Sequence, residues 1–252
     1  MKVCVLASGS KGNVTLIETE NSKILIDIGI SCKKLETALK EVNVLAKDIN
    51  AILITHNHSD HVKGLTTFIK RYQTPVFCSK IICDELELHN YSGLNFFEPL
   101  TFIEDLTVRV FRVSHDAKES FGFLIKYLNK ECVHITDTGY INKKYLNSLK
   151  NKDIYVFESN YDPKMLTSGS YPHYVKKRVL GDKGHLSNQD SAYYLKELIG
   201  KNTKHVILAH LSENTNCPII AENTHREILK DKLKHTKLSI AKQHTVHERV
   251  EV

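Results

Sequence analysis

The 252-residue sequence predicts one α/β domain with strands enough for two or more sheets, covered by helices. Short runs rich in Val, Ile and Leu alternate with segments of helical periodicity along the whole chain. No Gly/Ser/Pro-rich linker, internal repeat or low-complexity segment divides it, so the domain is expected to run over 1–252. A composition of 41% hydrophobic and 25% charged residues is that of a globular protein and excludes a disordered chain.

In order, strands are expected at 2–7, 14–19 and 23–28, the last two joined by the polar turn Glu20-Asn21-Ser22. Leu35, Ala38, Leu39 and Val42 repeat at helical spacing. AILIT at 51–55 is an apolar strand, and Val62, Leu65, Phe68 and Ile69 then predict a helix running to Arg71. Next come strand 75–78, helix 79–89, strands near 106–113, 121–128 and 132–136, helix 142–149 and strand 153–157. The remainder predicts helices 172–180 and 187–199, strand 205–209, helix 218–233 and closing strands at 238–242 and 246–251.

The opening MKVCVLASGSKGN lacks the apolar core of about 7–15 residues that marks a signal peptide. No run approaches the ~18 apolar residues of a membrane span, so a cytoplasmic protein without a membrane partner is expected. The six cysteines are scattered without a CxxC pair, several inside apolar runs, which predicts buried reduced thiols. A net charge of +6 favours a polyanionic partner only mildly.

The chemistry concentrates in Thr55-His56-Asn57-His58-Ser59-Asp60-His61, directly after the apolar strand. Residues i and i+2 of such a loop project to one side, so His56 and His58 could grip one ion while Asp60 and His61 turn toward a second. Imidazole and carboxylate together suit Zn, Mn or Fe as divalent ions. Two ions need more donors than one loop supplies. His115, Asp137 and His210 each follow an apolar strand by one or two residues, and strand ends gather on one edge of an α/β sheet.

At this point the sequence resembles the metallo-β-lactamase superfamily. THNHSDH matches its HxHxDH signature; His115, Asp137 and His210 follow in the family's order, and Asp27 in LIDIG matches the buried aspartate that braces the histidine loop. The resemblance implies an αββα four-layer sandwich, two central mixed sheets flanked by helices. It also implies two divalent metal ions: His56, His58 and His115 on one, Asp60, His61 and His210 on the other, Asp137 bridging. Such a pair activates a shared water and polarises the bond under attack, so the reaction is hydrolysis, with Asp60 counted among its catalytic residues.

The substrate must be read from other residues. Glu158 ends an apolar strand in VFESNY, and His185 in KGHLS precedes an amphipathic helix; a glutamate that orients a histidine is a general-acid arrangement. ESNY, GHLS and AHLS together resemble the nuclease branch, and Ala7-Ser8-Gly9-Ser10-Lys11-Gly12-Asn13 resembles the opening of its small YycJ/WalJ-like group of 5′ to 3′ exonucleases. A small-residue loop with free N–H groups and hydroxyls suits a phosphate, which makes Ser8, Gly9, Ser10 and Asn13 candidate substrate contacts. Lys183, with Lys176, Lys177 and Arg178, could track a nucleic-acid backbone or form a solvated helix face.

Asp137 and His210 are separated by only 72 residues, which leaves no room for the inserted cap of RNase J. An open groove suits single-stranded DNA or DNA ends, with RNA the other nucleic acid to consider. Two further readings share part of the pattern: a thioester or lactam hydrolase with the same ligands, and a non-catalytic nucleic-acid-binding scaffold. The other histidines, including His134 and His225, lie apart from other ligand types and are expected away from the centre.

Overall fold

The apolar runs become strands buried on both faces. In the computed structural model, which describes residues 1–252, the order is β1 (Lys2–Ala7), β2 (Val14–Glu18), β3 (Lys23–Ile26), α1 (Cys32–Glu41), β4 (Ala51–Leu53), α2 (Ser59–Val62) and α3 (Leu65–Tyr72). Then follow β5 (Val76–Cys78), α4 (Lys80–Glu85), β6 (Leu94–Phe96), β7 (Leu100–Ile103), β8 (Leu106–Arg112), β9 (Phe121–Tyr127) and β10 (Lys130–Ile135). The last part holds α5 (Lys143–Leu149), β11 (Ile154–Glu158), α6 (Pro163–Ser168), α7 (His173–Leu180), α8 (Asn188–Leu198), β12 (His205–Ala209), α9 (Pro218–Leu229), β13 (Lys237–Ile240) and β14 (Val250–Glu251).

Two sheets of seven strands result, ordered β14-β1-β2-β3-β4-β5-β6 and β13-β12-β11-β10-β9-β8-β7. Each is mixed: β3 to β6 and β10 to β13 run parallel, and the other half of each sheet is antiparallel. Strand periodicity sorts the second sheet's side chains into two cores. Cys132, Ile154, Val156 and Ile207 join the first sheet in a 43-residue cluster, which reaches through that sheet to Leu35 and Leu39 of α1 and Phe68 of α3. Val133, Tyr155, Phe157 and Leu208 face the other way, into a 17-residue cluster with Leu195 of α8 and Ala221 of α9. The four layers are helix, sheet, sheet, helix, as expected. No helix is long and apolar enough to cross a membrane. All six cysteines are free, and only Cys217 is not fully buried.

Some elements differ from expectation. β7 carries no polar–apolar alternation to mark it: Thr101 and Ile103 are buried while Leu100 and Phe102 are exposed. β6 has three residues, beside turn-forming Tyr91-Ser92-Gly93. α6 was missed although Asp162 caps it and Pro163 opens it. β14 keeps only two residues of the expected 246–251 strand. The helix expected from the histidine motif to Arg71 is broken between Val62 and Leu65. Its carbonyls are taken: Asp60 O accepts Asn13 N–H at 2.8 Å and His61 O accepts Ile28 N–H at 2.8 Å, while Gly64 N–H donates to Ile28 O.

These bonds knit the loops after β1, β3 and β4 at one sheet edge. Gly29 sits where they cross, and its N–H donates to Asn13 O at 2.9 Å. A Cβ there would lie 1.7 Å from Asp60 O and 2.5 Å from Asn13 N, both backbone atoms that cannot swing aside. Gly29→Ala is therefore expected to lower the unfolding free energy by about 3 kcal/mol. In a chain of this length that appears as a fall in Tm of roughly 5–10 °C by calorimetry; an unchanged Tm would show that the loops can part freely.

Candidate metal centre

Asp27, His56, Asp137, Glu158 and His210 all lie at or just beyond the C-terminal ends of parallel strands. β8 is antiparallel to β9, which is antiparallel to β10, so β8 delivers His115 to the same edge. Asp27, Asp137 and His210 have left-handed backbones, with φ of 61°, 55° and 57°, which are uncommon for residues other than Gly. The chain turns sharply there and aims the side chains inward instead of along the strand.

Each imidazole but one is fixed through Nδ1. Asp27 is buried and accepts Thr55 N–H at 2.8 Å, Thr55 Oγ1–H at 2.7 Å and His61 Nδ1–H at 2.7 Å. His56 Nδ1–H donates to Thr55 Oγ1 at 2.9 Å, His115 Nδ1–H to Gly184 O at 3.2 Å, and His210 Nδ1–H to Glu158 Oε1 at 3.0 Å. All four rings therefore present Nε2 with its lone pair toward one point. His58 is turned over: its Nδ1 lies 3.2 Å from His115 Nε2 and its Nε2 faces Asp116.

The free atoms converge. Donor atoms of His56, His58 and His115 form one group and those of Asp60, His61 and His210 another, each within 4.8 Å. Asp137 stands between: Oδ1 is 3.4 Å from His210 Nε2 and 3.7 Å from His115 Nε2, and Oδ2 is 3.2 Å from His61 Nε2. His56 Nε2, His210 Nε2 and Asp137 Oδ2 are buried without a hydrogen-bond partner. Buried polar atoms are rarely orphaned, and three aimed at one place are the signature expected of a cation site. The groups also answer one another: burial would raise the Asp137 carboxyl, but the His210 and His61 imidazoles hold it well below the usual range. Imidazole and carboxylate donors with no thiolate fit a divalent ion such as zinc, manganese or iron.

Glu158 lies behind this arrangement, with no exposed surface. Its Oε1 accepts His185 Nδ1–H at 2.8 Å, His210 Nδ1–H at 3.0 Å and Asp137 N–H at 3.2 Å; its Oε2 accepts Thr138 N–H at 3.0 Å and Leu186 N–H at 3.1 Å. Burial opposes its charge, but His185, His210 and these bonds overturn that and hold the carboxyl down to about 2. His185 is thereby set beside His115 and His210, at ring separations of 5.1 and 5.2 Å, with its Nε2 edge free.

A cavity of about 220 Å³ opens over the centre, with Ser10, Tyr171, Arg178, His185, Ser212 and Thr215 in its lining. Of the four loop residues expected to contact substrate, only Ser10 reaches it. Ser8 and Asn13 are buried and committed to the centre's support: Ser8 Oγ accepts His210 N–H at 2.7 Å, and Asn13 Nδ2 lies 3.1 Å from His61 Nε2. Gly9 has φ of 136° and donates its N–H to Asn13 Oδ1, so it shapes the loop. Lys183 is exposed and outside the cavity lining; Arg178, paired with Asp116, occupies the rim instead. The structure thus places Ser8, Gly9 and Asn13 beneath the centre and Lys183 outside the cavity lining.

Other supporting residues had weak signals. Thr55 opens the histidine motif, and Asn160 follows Glu158 by two residues and donates Nδ2–H to His210 O at 2.8 Å. His134 and His225 lie elsewhere, bonded to Thr15 and to Ala221 and Ser191.

Comparison with known proteins agrees with this architecture. A family model described as "Beta-lactamase superfamily domain" matches residues 22–211. The chain is 36% identical over 235 residues to the exodeoxyribonuclease YycJ of Bacillus anthracis, covering 90% of this chain and 89% of that one. It is 37% identical over 232 residues to the exodeoxyribonuclease WalJ of Streptococcus pneumoniae serotype 2, covering 88% and 86%. Among solved structures, the metallo-beta-lactamase fold protein YhfI of Bacillus subtilis superposes with a TM-score of 0.74 at 16% identity, over 98% of this chain and 99% of that one. On the family match and on relatives that span nine-tenths of its length, the chain belongs to the beta-lactamase superfamily, in the group that holds YycJ and WalJ.

Proposed function

We propose that the protein is a dinuclear, metal-dependent phosphodiesterase that degrades DNA from an end, as a 5′ to 3′ exonuclease on single strands. The observation that carries this reading is the Glu158–His185 pair, an imidazole oriented by a buried carboxylate against Asp137 and His210. The names of the relatives at 36 and 37% identity support the same reaction class. A cavity of about 220 Å³ suits one nucleotide at a strand end better than a duplex.

His56, His58 and His115 would hold one divalent ion, Asp60, His61 and His210 the other, and Asp137 would bridge them. Two such ions supply a nucleophile at neutral pH and neutralise the charge that builds on phosphorus. The chain's residues do the rest. Asp27, through Thr55 and His61, keeps the histidine loop in one rotamer set. His185 delivers a proton from Nε2 to the departing sugar oxygen, and Glu158 aims the ring by accepting its Nδ1–H. Because one carboxylate oxygen serves both His185 and His210, acid and ligand hold a fixed separation. Tyr171 on the cavity wall offers a face on which the terminal base can stack.

Metal-loaded protein should degrade 5′-phosphorylated single-stranded DNA and a chromogenic phosphodiester. Turnover of a thioester or a cephalosporin with no phosphodiester cleavage would overturn the reading. His185→Ala is expected to reduce kcat by roughly 10²–10⁴ while two metals per chain remain, by elemental analysis; wild-type turnover would remove the acid role. Glu158→Gln places an amide donor among five donors, and should cost roughly 3 kcal/mol of stability in urea denaturation of metal-free protein. Loss of turnover at wild-type stability would reduce Glu158 to a partner of His185 alone.

A further inference from the structure

We infer that a lysine-lined groove beside the centre binds the sugar-phosphate backbone of the strand body, the part of the DNA that remains attached to the enzyme after the end nucleotide departs. The inference rests on the nuclease reading above and adds to it a second binding site.

The groove has a volume of about 710 Å³, more than three times the roughly 220 Å³ of the cavity over the metal-ligating residues. Lys11, Lys33, Lys34, Lys63 and His244 line it, with Glu41 the sole acid. Lys33, Lys34 and Lys63 are exposed and have no carboxylate within ion-pairing distance, whereas Lys11 pairs with Glu213 at 2.6 Å. Unpaired ammonium groups gathered on a concave surface repel one another, and a polyanion relieves that repulsion. Lys33 and Lys34 also stand in the first turn of α1, which has no acidic residue there. Cations in that turn oppose the helix dipole, so they are kept against the local preference of the helix.

The groove and the cavity are lined by neighbouring stretches of the chain. Ser10 lines the cavity and Lys11, the next residue, lines the groove. Asp60 lines the cavity, and Lys63, three residues on, lines the groove. A backbone that leaves the cavity past Ser10 or past Asp60 is thereby led toward Lys11 or Lys63. Proton delivery by His185 puts the departing nucleotide beside that ring, so the strand body must leave along another part of the rim. Of the cations nearer His185, Arg178 is paired with Asp116, Lys176 donates to Thr167 O at 2.7 Å, and Lys183 stands outside the cavity lining.

The test compares wild-type protein with K33Q/K34Q/K63Q. Binding is read by fluorescence anisotropy on a phosphorothioate-linked, 5′-phosphorylated oligothymidylate of twenty residues, across a salt series, and turnover is read on the dinucleotide pdTpdT. The triple variant is expected to bind the long strand at least about tenfold more weakly at moderate salt. Its salt slope should fall by about 2, since each phosphate contact on a single strand contributes about 0.7. Dinucleotide kcat/KM should stay within about twofold, because a dinucleotide has no phosphate beyond the one that is cleaved to place in the groove. K63Q alone should lower the slope by about 0.7, which keeps the test decisive if the triple variant folds poorly. Wild-type affinity and slope in the variants, or a parallel loss of dinucleotide turnover, would overturn the groove assignment while leaving the nuclease reading intact. If wild-type protein neither binds nor cleaves either substrate, the nuclease reading itself fails and the groove assignment fails with it.

Discussion

One fully buried carboxylate organises the centre. Glu158 accepts five hydrogen bonds, two from imidazoles and three from backbone N–H groups, drawn from the segments after β10, before α8 and after β12. An ionised group without solvent is costly unless its lone pairs are filled, and five donors exceed what most buried carboxylates obtain. The burden becomes an advantage: the charge dictates how three separate chain segments must lie. Asp137, His185 and His210 take their positions from one side chain that touches no solvent.

The first sheet solves the same problem differently. Asp27 accepts three hydrogen bonds, from Thr55 and His61, and the surrounding loops are tied by backbone bonds among Asn13, Ile28, Gly29, Asp60 and His61. Buried carboxylates thus stand under both halves of the centre, each holding Nδ1 of a histidine so that Nε2 faces inward. The left-handed backbones at Asp27 and Asp137 persist because those bonds outweigh the local steric penalty.

How much of this the sequence reveals depends on the kind of physics involved. Strands buried on both faces, such as β1 and β11, appear as continuous apolar runs, and the ligand-rich THNHSDH segment stands out by residue type alone. Geometry set by backbone atoms does not. The break at Gly64 depends on which carbonyls distant segments engage, and β7 hides because Leu100 and Phe102 face solvent while Thr101 shares the buried face with Ile103. The ASGSKGN loop shows why residue type alone does not fix a role. Its small residues suggested a phosphate cradle, but Ser8 and Asn13 turn inward to His210 and His61, and a hydroxyl or amide looks the same in sequence whether it meets substrate or a neighbouring ligand. Glu158 was legible as a partner for His185; its simultaneous hold on His210 required three dimensions.

The two sheets contribute unequally but jointly to the gathering of donor atoms: Asp60 and three histidines come from the first, and His115, Asp137 and His210 from the second. A cation bound there would cross-link layers that also meet at that edge through Phe121 N–H on Thr55 O and His210 N–H on Ser8 Oγ. Its binding free energy then enters the cohesion of the sandwich, as a ligand that favours the assembled form over the separated one. The interlayer core and the centre are accordingly coupled. A substitution at Cys132 or Val156, in the core between the sheets, would change the spacing of the sheets and with it the spacing of the donor atoms, so that metal affinity would report on packing deep in the protein.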